Sequence, residues 1–125
     1  MFIAYISLDE VNQDLVTRTV DEHFETMATF ASRAEMASWP CDAVIYDLDC
    51  LPRNDRERVL DELMGDPVRR LAAVHSYNLE PAEKRRLRRN GVIVRRRLHA
   101  GWLSRLILGR TRKIRVNACA GASAA

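Results

Sequence analysis

Apolar residues in this chain fall into two alternating patterns: short unbroken runs, and longer stretches carrying a single apolar stripe. Phe2-Ile3-Ala4-Tyr5-Ile6 is apolar throughout, the pattern of a strand covered on both faces. Asp9 then supplies a cap for a helix over 10–22, in which Val11, Leu15 and Val20 lie on roughly one stripe. Residues 24–31, with Met27, Thr29 and Phe30, predict a second strand. Ser32 with Glu35 three positions on has the form of a capping box, opening a short helix that Pro40 ends. Ala43-Val44-Ile45-Tyr46 is the clearest strand, left through Asp47-Leu48-Asp49. After a loop over 51–54, Val59, Leu60, Leu63 and Met64 predict a helix over 55–64, with Gly65 as its stop. Leu71-Ala72-Ala73-Val74-His75 predicts a fourth strand, Pro81 opens a helix that Asn90-Gly91 closes, and Val92-Ile93-Val94 predicts a fifth strand. Leu98, Trp102, Leu106 and Ile107 space a last helix ending near Gly109.

Five strand-helix units in succession imply parallel strands joined by right-handed crossovers, with helices on both faces of the sheet. The expected fold is therefore α/β: a flavodoxin-like three-layer sandwich around a five-stranded parallel sheet of order 2-1-3-4-5. The pattern places one domain over 1–109. A basic segment and then an Ala/Gly/Ser-rich tail, together 110–125, follow it.

Composition narrows the picture in a few places. At 125 residues, with 47% hydrophobic and 30% charged residues, the chain fits one soluble domain able to bury a core without staples. No apolar run is long enough to span a bilayer, and the N-terminus lacks the basic start of a secretory signal. Cys41, Cys50 and Cys119 form neither an even set nor a CxxC pair, so reduced thiols and a cytoplasmic location are expected.

Charge changes the picture more. Residues 1–67 hold 5 Arg against 15 acids, net −10, whereas 68–125 hold 13 Arg and 2 Lys against 2 Glu, net +13. Lys84, Arg85, Arg86, Arg88 and Arg89 share the predicted fourth helix, and Arg95, Arg96 and Arg97 follow the fifth strand. Arg105, Arg110, Arg112, Lys113 and Arg115 extend the trend. Arginine forks suit carboxylate and phosphate partners. A solvated helix face, an acidic protein surface (a second copy included) and a nucleic acid or anionic membrane remain open as readings. One aromatic, Trp102, lies near the cluster and fits the core stripe of its helix, whereas stacking readers interleave several.

The segment Val44-Ile45-Tyr46-Asp47-Leu48-Asp49-Cys50-Leu51-Pro52 resembles the third-strand element of bacterial response-regulator receiver domains, with one residue more than usual before the proline. By that resemblance Asp47 matches the phospho-accepting aspartate, a carboxylate nucleophile that needs a cation beside it. The family's magnesium-binding acid pair falls on Ser7 and Leu8, with Asp9 one position late, which leaves Asp9 and Asp47 as weak magnesium candidates. The hydroxyl residue ending the fourth strand falls on His75, or on Ser76 with a one-residue shift. The fifth-strand lysine falls on Arg95, and the proline after it on Arg96. The resemblance thus implies a degenerate receiver, or pseudo-receiver, without a required cofactor. It implies a module that binds another protein through its α4–β5–α5 face rather than an enzyme. A nucleic-acid-associated regulator is the alternative.

Other chemistries lack their patterns. His23, His75 and His99 have no metal-ligand spacing, and the five glycines form no phosphate loop. Ser7, His75 and Asp47 all belong to strand ends, but no nucleophile elbow accompanies them.

Overall fold

The computed structural model describes residues 2–23, 26–36, 39–65 and 70–109. Nine elements alternate in the order β1 (Phe2–Ile6), α1 (Glu10–Glu22), β2 (Thr26–Phe30), α2 (Arg33–Met36), β3 (Ala43–Asp47), α3 (Arg53–Gly65), β4 (Leu71–His75), α4 (Pro81–Arg89) and β5 (Ile93–Arg95). A final helix, α5, covers 100–109. The strands form one parallel sheet of order β2-β1-β3-β4-β5, the flavodoxin-like topology that the alternation implies.

Successive residues of a strand point to opposite faces, and the two cores follow that parity. Ala4, Ile6, Val44, Tyr46, Ala72 and Val74 pack with Met36 of α2, Val59, Leu60 and Leu63 of α3, and Leu87 of α4. Ile3, Tyr5, Ala43, Ile45 and Ala73 pack on the other face with Val16 and Val20 of α1 and Trp102, Leu103 and Ile107 of α5. No helix among the described residues is long and apolar enough to cross a membrane.

Local chemistry explains the boundaries. Asp9 caps α1 through its Oδ1, which accepts from the amides of Val11 at 2.9 Å and Asn12 at 3.2 Å. Helix α3 starts two residues before the apolar spacing shows it, because the Pro52 carbonyl already accepts from the Arg56 amide at 2.9 Å. Gly65 is its last helical residue rather than the one beyond. Helix α4 opens with Pro81 behind a capping box in which the Glu80 amide donates to the Glu83 carboxylate at 3.0 Å. It closes on Gly91, whose φ of +83° favours glycine. The Val92 amide then donates to the Leu87 carbonyl, which keeps Val92 out of the ladder and moves β5 one residue on, to Arg95. The short β2 lies at the sheet edge with Thr26 and Thr29 exposed, so it lacks the apolar run of the central strands. The predicted tail, with Arg110, Arg112, Lys113 and Arg115, lies outside the described residues.

Leu87 is the single buried residue of α4, so this one side chain holds the basic helix to the sheet. Leu87→Ala is expected to cost about 2–5 kcal/mol, and Leu87→Met less than about 1.5 kcal/mol, in urea unfolding. Equal effects from the two substitutions would show that α4 is held otherwise.

Candidate functional site at the carboxyl ends of the strands

Parallel open sheets place functional groups beyond their carboxyl ends, where β1 and β3 diverge. Here that position holds Asp47, paired in register with His75, which pairs in turn with Arg95. Strand parity separates the two candidates at the end of the fourth strand: His75 shares the face of Asp47, and Ser76 turns away from it.

Asp47 is 2% exposed. Its Oδ2 accepts from the Ser7 hydroxyl at 2.7 Å and from the Asn12 side-chain amide at 3.2 Å. Its Oδ1 lies 3.9 Å from Nδ1 of His75, too far for a hydrogen bond. On the far side of the imidazole, Nε2 is 2.7 Å from the Tyr5 hydroxyl, and the two rings stack at 5.8 Å. With the carboxylate beside Nδ1, the favoured tautomer carries its proton there, and the Tyr5 hydroxyl then donates to Nε2.

Burial shapes the titration of this cluster. It lowers the His75 pKa from its ordinary value, with the Asp47 charge opposing part of that shift. It raises the Tyr5 hydroxyl far above the usual phenol range, and Asp47 adds to the effect. The Cys50 thiol is pushed up to about 11 by desolvation and by its contact with Asp47. The imidazole, the phenol and the thiol are therefore all neutral near pH 7, around one carboxylate.

Oδ1 of Asp9 caps α1, while the charge of Asp9 still acts on Tyr5, Cys50 and His75. Ser7 also donates to Asp47 and not to His75, so no serine-histidine nucleophile exists here. The donor set does not fit the magnesium site that the family resemblance implies. Positions 7 and 8 carry no acid, Asp9 is turned to amides, and no trio of His, Cys, Asp or Glu among the described residues could hold a metal. Arg95 is exposed and donates to the Val94 carbonyl at 2.9 Å, so it makes no pair with Asp47.

Ser76 belongs to a second acid. Its hydroxyl donates to Oδ1 of Asp49 at 2.5 Å, the Tyr77 amide to Oδ2 at 2.7 Å, and the Asn78 side chain to Oδ1 at 3.2 Å. Arg56 adds a contact to the Asn78 carbonyl at 3.4 Å. The guanidinium of Arg96 sits 5.7 Å from the Tyr77 ring centroid, within cation–π range. Sequence reasoning assigned no role to Tyr5, Asn12, Asp49 or Tyr77. The doublet Asp47/Asp49 was the one visible signal, since strand parity alone sends two acids two residues apart toward one side, and a turn separates them.

The basic residues lie on α4 and at the end of β5. Arg85, Arg86, Arg88 and Arg89 of α4 are exposed and Lys84 is half-buried, while Arg95, Arg96 and Arg97 leave the adjacent strand end exposed. Among the described residues, none of these eight cations forms an ion pair.

The lowered His75 pKa fixes a pH dependence. An unfolded chain takes up the histidine proton more readily than the folded one, so stability falls as the pH drops below about 6.5. His75→Gln should remove most of that slope in unfolding experiments at pH 5 to 7. A wild-type slope that persists in the variant would place the titrating group elsewhere.

No family model matches the sequence, and no curated protein matches it significantly. Solved structures do match in shape. The signal receiver domain of a putative LuxO repressor protein from Vibrio parahaemolyticus superposes with a TM-score of 0.74 at 12% identity, covering 95% of this chain and 95% of that one. A two-component response regulator from Clostridium difficile gives 0.72 at 12% identity, over 91% and 98% of the two chains. A response regulator protein from Burkholderia multivorans gives 0.67 at 17% identity, over 88% and 94%. At such identities the likeness concerns architecture, and the fold of this chain is that of the response-regulator receiver domain.

Proposed function

We propose that this chain is a cytoplasmic signalling module, a pseudo-receiver that binds a protein partner through its basic α4–β5–α5 face without phosphorylation of Asp47. The observation that supports it most directly is the cluster of arginines on α4 and after β5, exposed and without acidic partners among the described residues. Solvated cations cost little, but eight of them on α4 and at the end of β5 repel one another, and an acidic protein surface relieves that repulsion. The partner is another protein or a second copy, whose acids the N-terminal half supplies in excess.

Loss of phosphoryl chemistry is the second half of the reading. Phosphoryl transfer to a carboxylate needs a cation to neutralise the moving charge, and Asp47 instead has Ser7, Asn12 and a neutral His75 around it. The module is read as a binding protein and not as an enzyme, with no resident metal or cofactor.

Incubation with acetyl phosphate and Mg²⁺ should leave the intact mass unchanged. A gain of one phosphoryl group that Asp47→Ala abolishes would overturn the phosphate-independent reading. Reversing Arg85, Arg86 and Arg89 to Glu should weaken partner binding about 100-fold or more, read by capture from lysate with and without nuclease. Captured material that nuclease removes would favour the nucleic-acid regulator instead.

A further inference from the structure

We infer that Tyr77 and Arg96 form the anchor of the docking face for an acidic protein surface, and that Asp49 is the fixed anion that holds this anchor in place. The inference rests on the basic face being the docking face, and goes further by naming its centre and the residue that organises it.

Tyr77 is 60% exposed, an unusual placement for a large ring in a short loop. It is nonetheless held from two sides, its amide by the Asp49 carboxylate and its ring by the Arg96 guanidinium. Ser76 and Asn78, its neighbours in the chain, also donate to Asp49, and the Asn78 amide donates to the Ser76 hydroxyl at 3.1 Å. One carboxylate therefore gathers three consecutive residues, immediately before the capping box that starts α4. Hydrogen bonds to a charged acceptor are the stronger kind, and three of them on one loop select a single loop conformation.

The pair so held has the chemistry of an interface centre. Tyrosine and arginine are over-represented among residues that dominate binding, because each offers a large contact area at low conformational cost. A tyrosine ring stacked on a guanidinium leaves the fork edge free for a carboxylate and the ring for an apolar contact. Arg95 and Arg97 flank the pair, and among the described residues none of Arg95, Arg96 and Arg97 is ion-paired with an acid of this chain. Charge complementarity thus selects an acidic protein surface with an apolar side chain at its centre.

Electrostatics at long range and the clasp make opposite forecasts for one substitution. Asp49→Asn removes a negative charge beside a basic face, so attraction alone predicts tighter binding of an anionic probe. If Asp49 works by holding the loop, the same substitution weakens binding.

The probe is a fluorescent oligoglutamate peptide with one central phenylalanine, titrated by polarisation against the full chain. Asp49→Asn, Ser76→Ala (which leaves the charge unchanged) and Tyr77→Ala are each expected to weaken it about fivefold, the affinity equivalent of one net hydrogen bond or more. Amide exchange over 76–80 should quicken in Asp49→Asn while β1 and β3 exchange as in the wild type, which separates a loosened loop from a damaged fold. Unchanged or tighter binding by Asp49→Asn, with binding still lost on reversal of Arg85, Arg86 and Arg89, would overturn the anchor and leave the basic face standing. Binding unaffected by that reversal would remove the face, and the anchor with it.

Discussion

A parallel sheet buried on both sides gives its residues no choice of direction: each step along a strand turns the next side chain to the opposite layer. That period of two decides the chemistry at the strand ends as firmly as it decides the core. Tyr5, Asp47 and His75 share the parity of Ile3, Ala43 and Ala73, and so face the layer of α1 and α5. Asn12 reaches Asp47 because its helix forms that layer. Ser76, one step beyond His75, falls to Asp49. Two acids two residues apart therefore serve two separate tasks, one inside the domain and one on its rim.

The inner acid is hydrogen-bonded within the domain. A carboxylate at 2% exposure is tolerated only when its lone pairs are engaged. Ser7 and Asn12 meet that demand with neutral donors, and a neutral histidine completes the surroundings without a compensating cation. The rim acid is held by neutral donors of the same kinds in a more exposed setting, where each bond is worth less but the loop it organises leads into the basic helix.

Much of the fold was legible in the sequence because it depends on apolar runs. β1, β3 and β4 are continuous apolar segments, and α1 and α4 carry recognisable caps at Asp9 and Pro81. The boundaries that differ have local causes invisible to periodicity: a proline carbonyl accepting the first bond of α3, and a glycine turn that takes Val92 out of β5. The position of Asp47 was legible from the strand-aspartate-proline pattern, and the array of arginines from spacing alone. Tyr5 and Asn12 were not, because an apolar tyrosine in a strand and an asparagine on a helix have unremarkable sequence neighbours. Their roles arise from register and layer. Asp49 and Tyr77 meet through a contact between residues separated by 28 positions, which no local pattern encodes.

The hydrogen bond between Ser7 and Asp47 has a consequence for how far this site stands from a cation-binding one. An aspartate at position 7 would set a second carboxylate against a buried first one, with no positive charge at hand, and like charges so placed resist joint ionisation. Asp9 would add a third negative charge rather than relieve it. The added acid and a realigned neighbour would have to arrive together before a metal could stabilise either. Replacing Ser7 alone by an acid therefore costs stability before it gains a ligand.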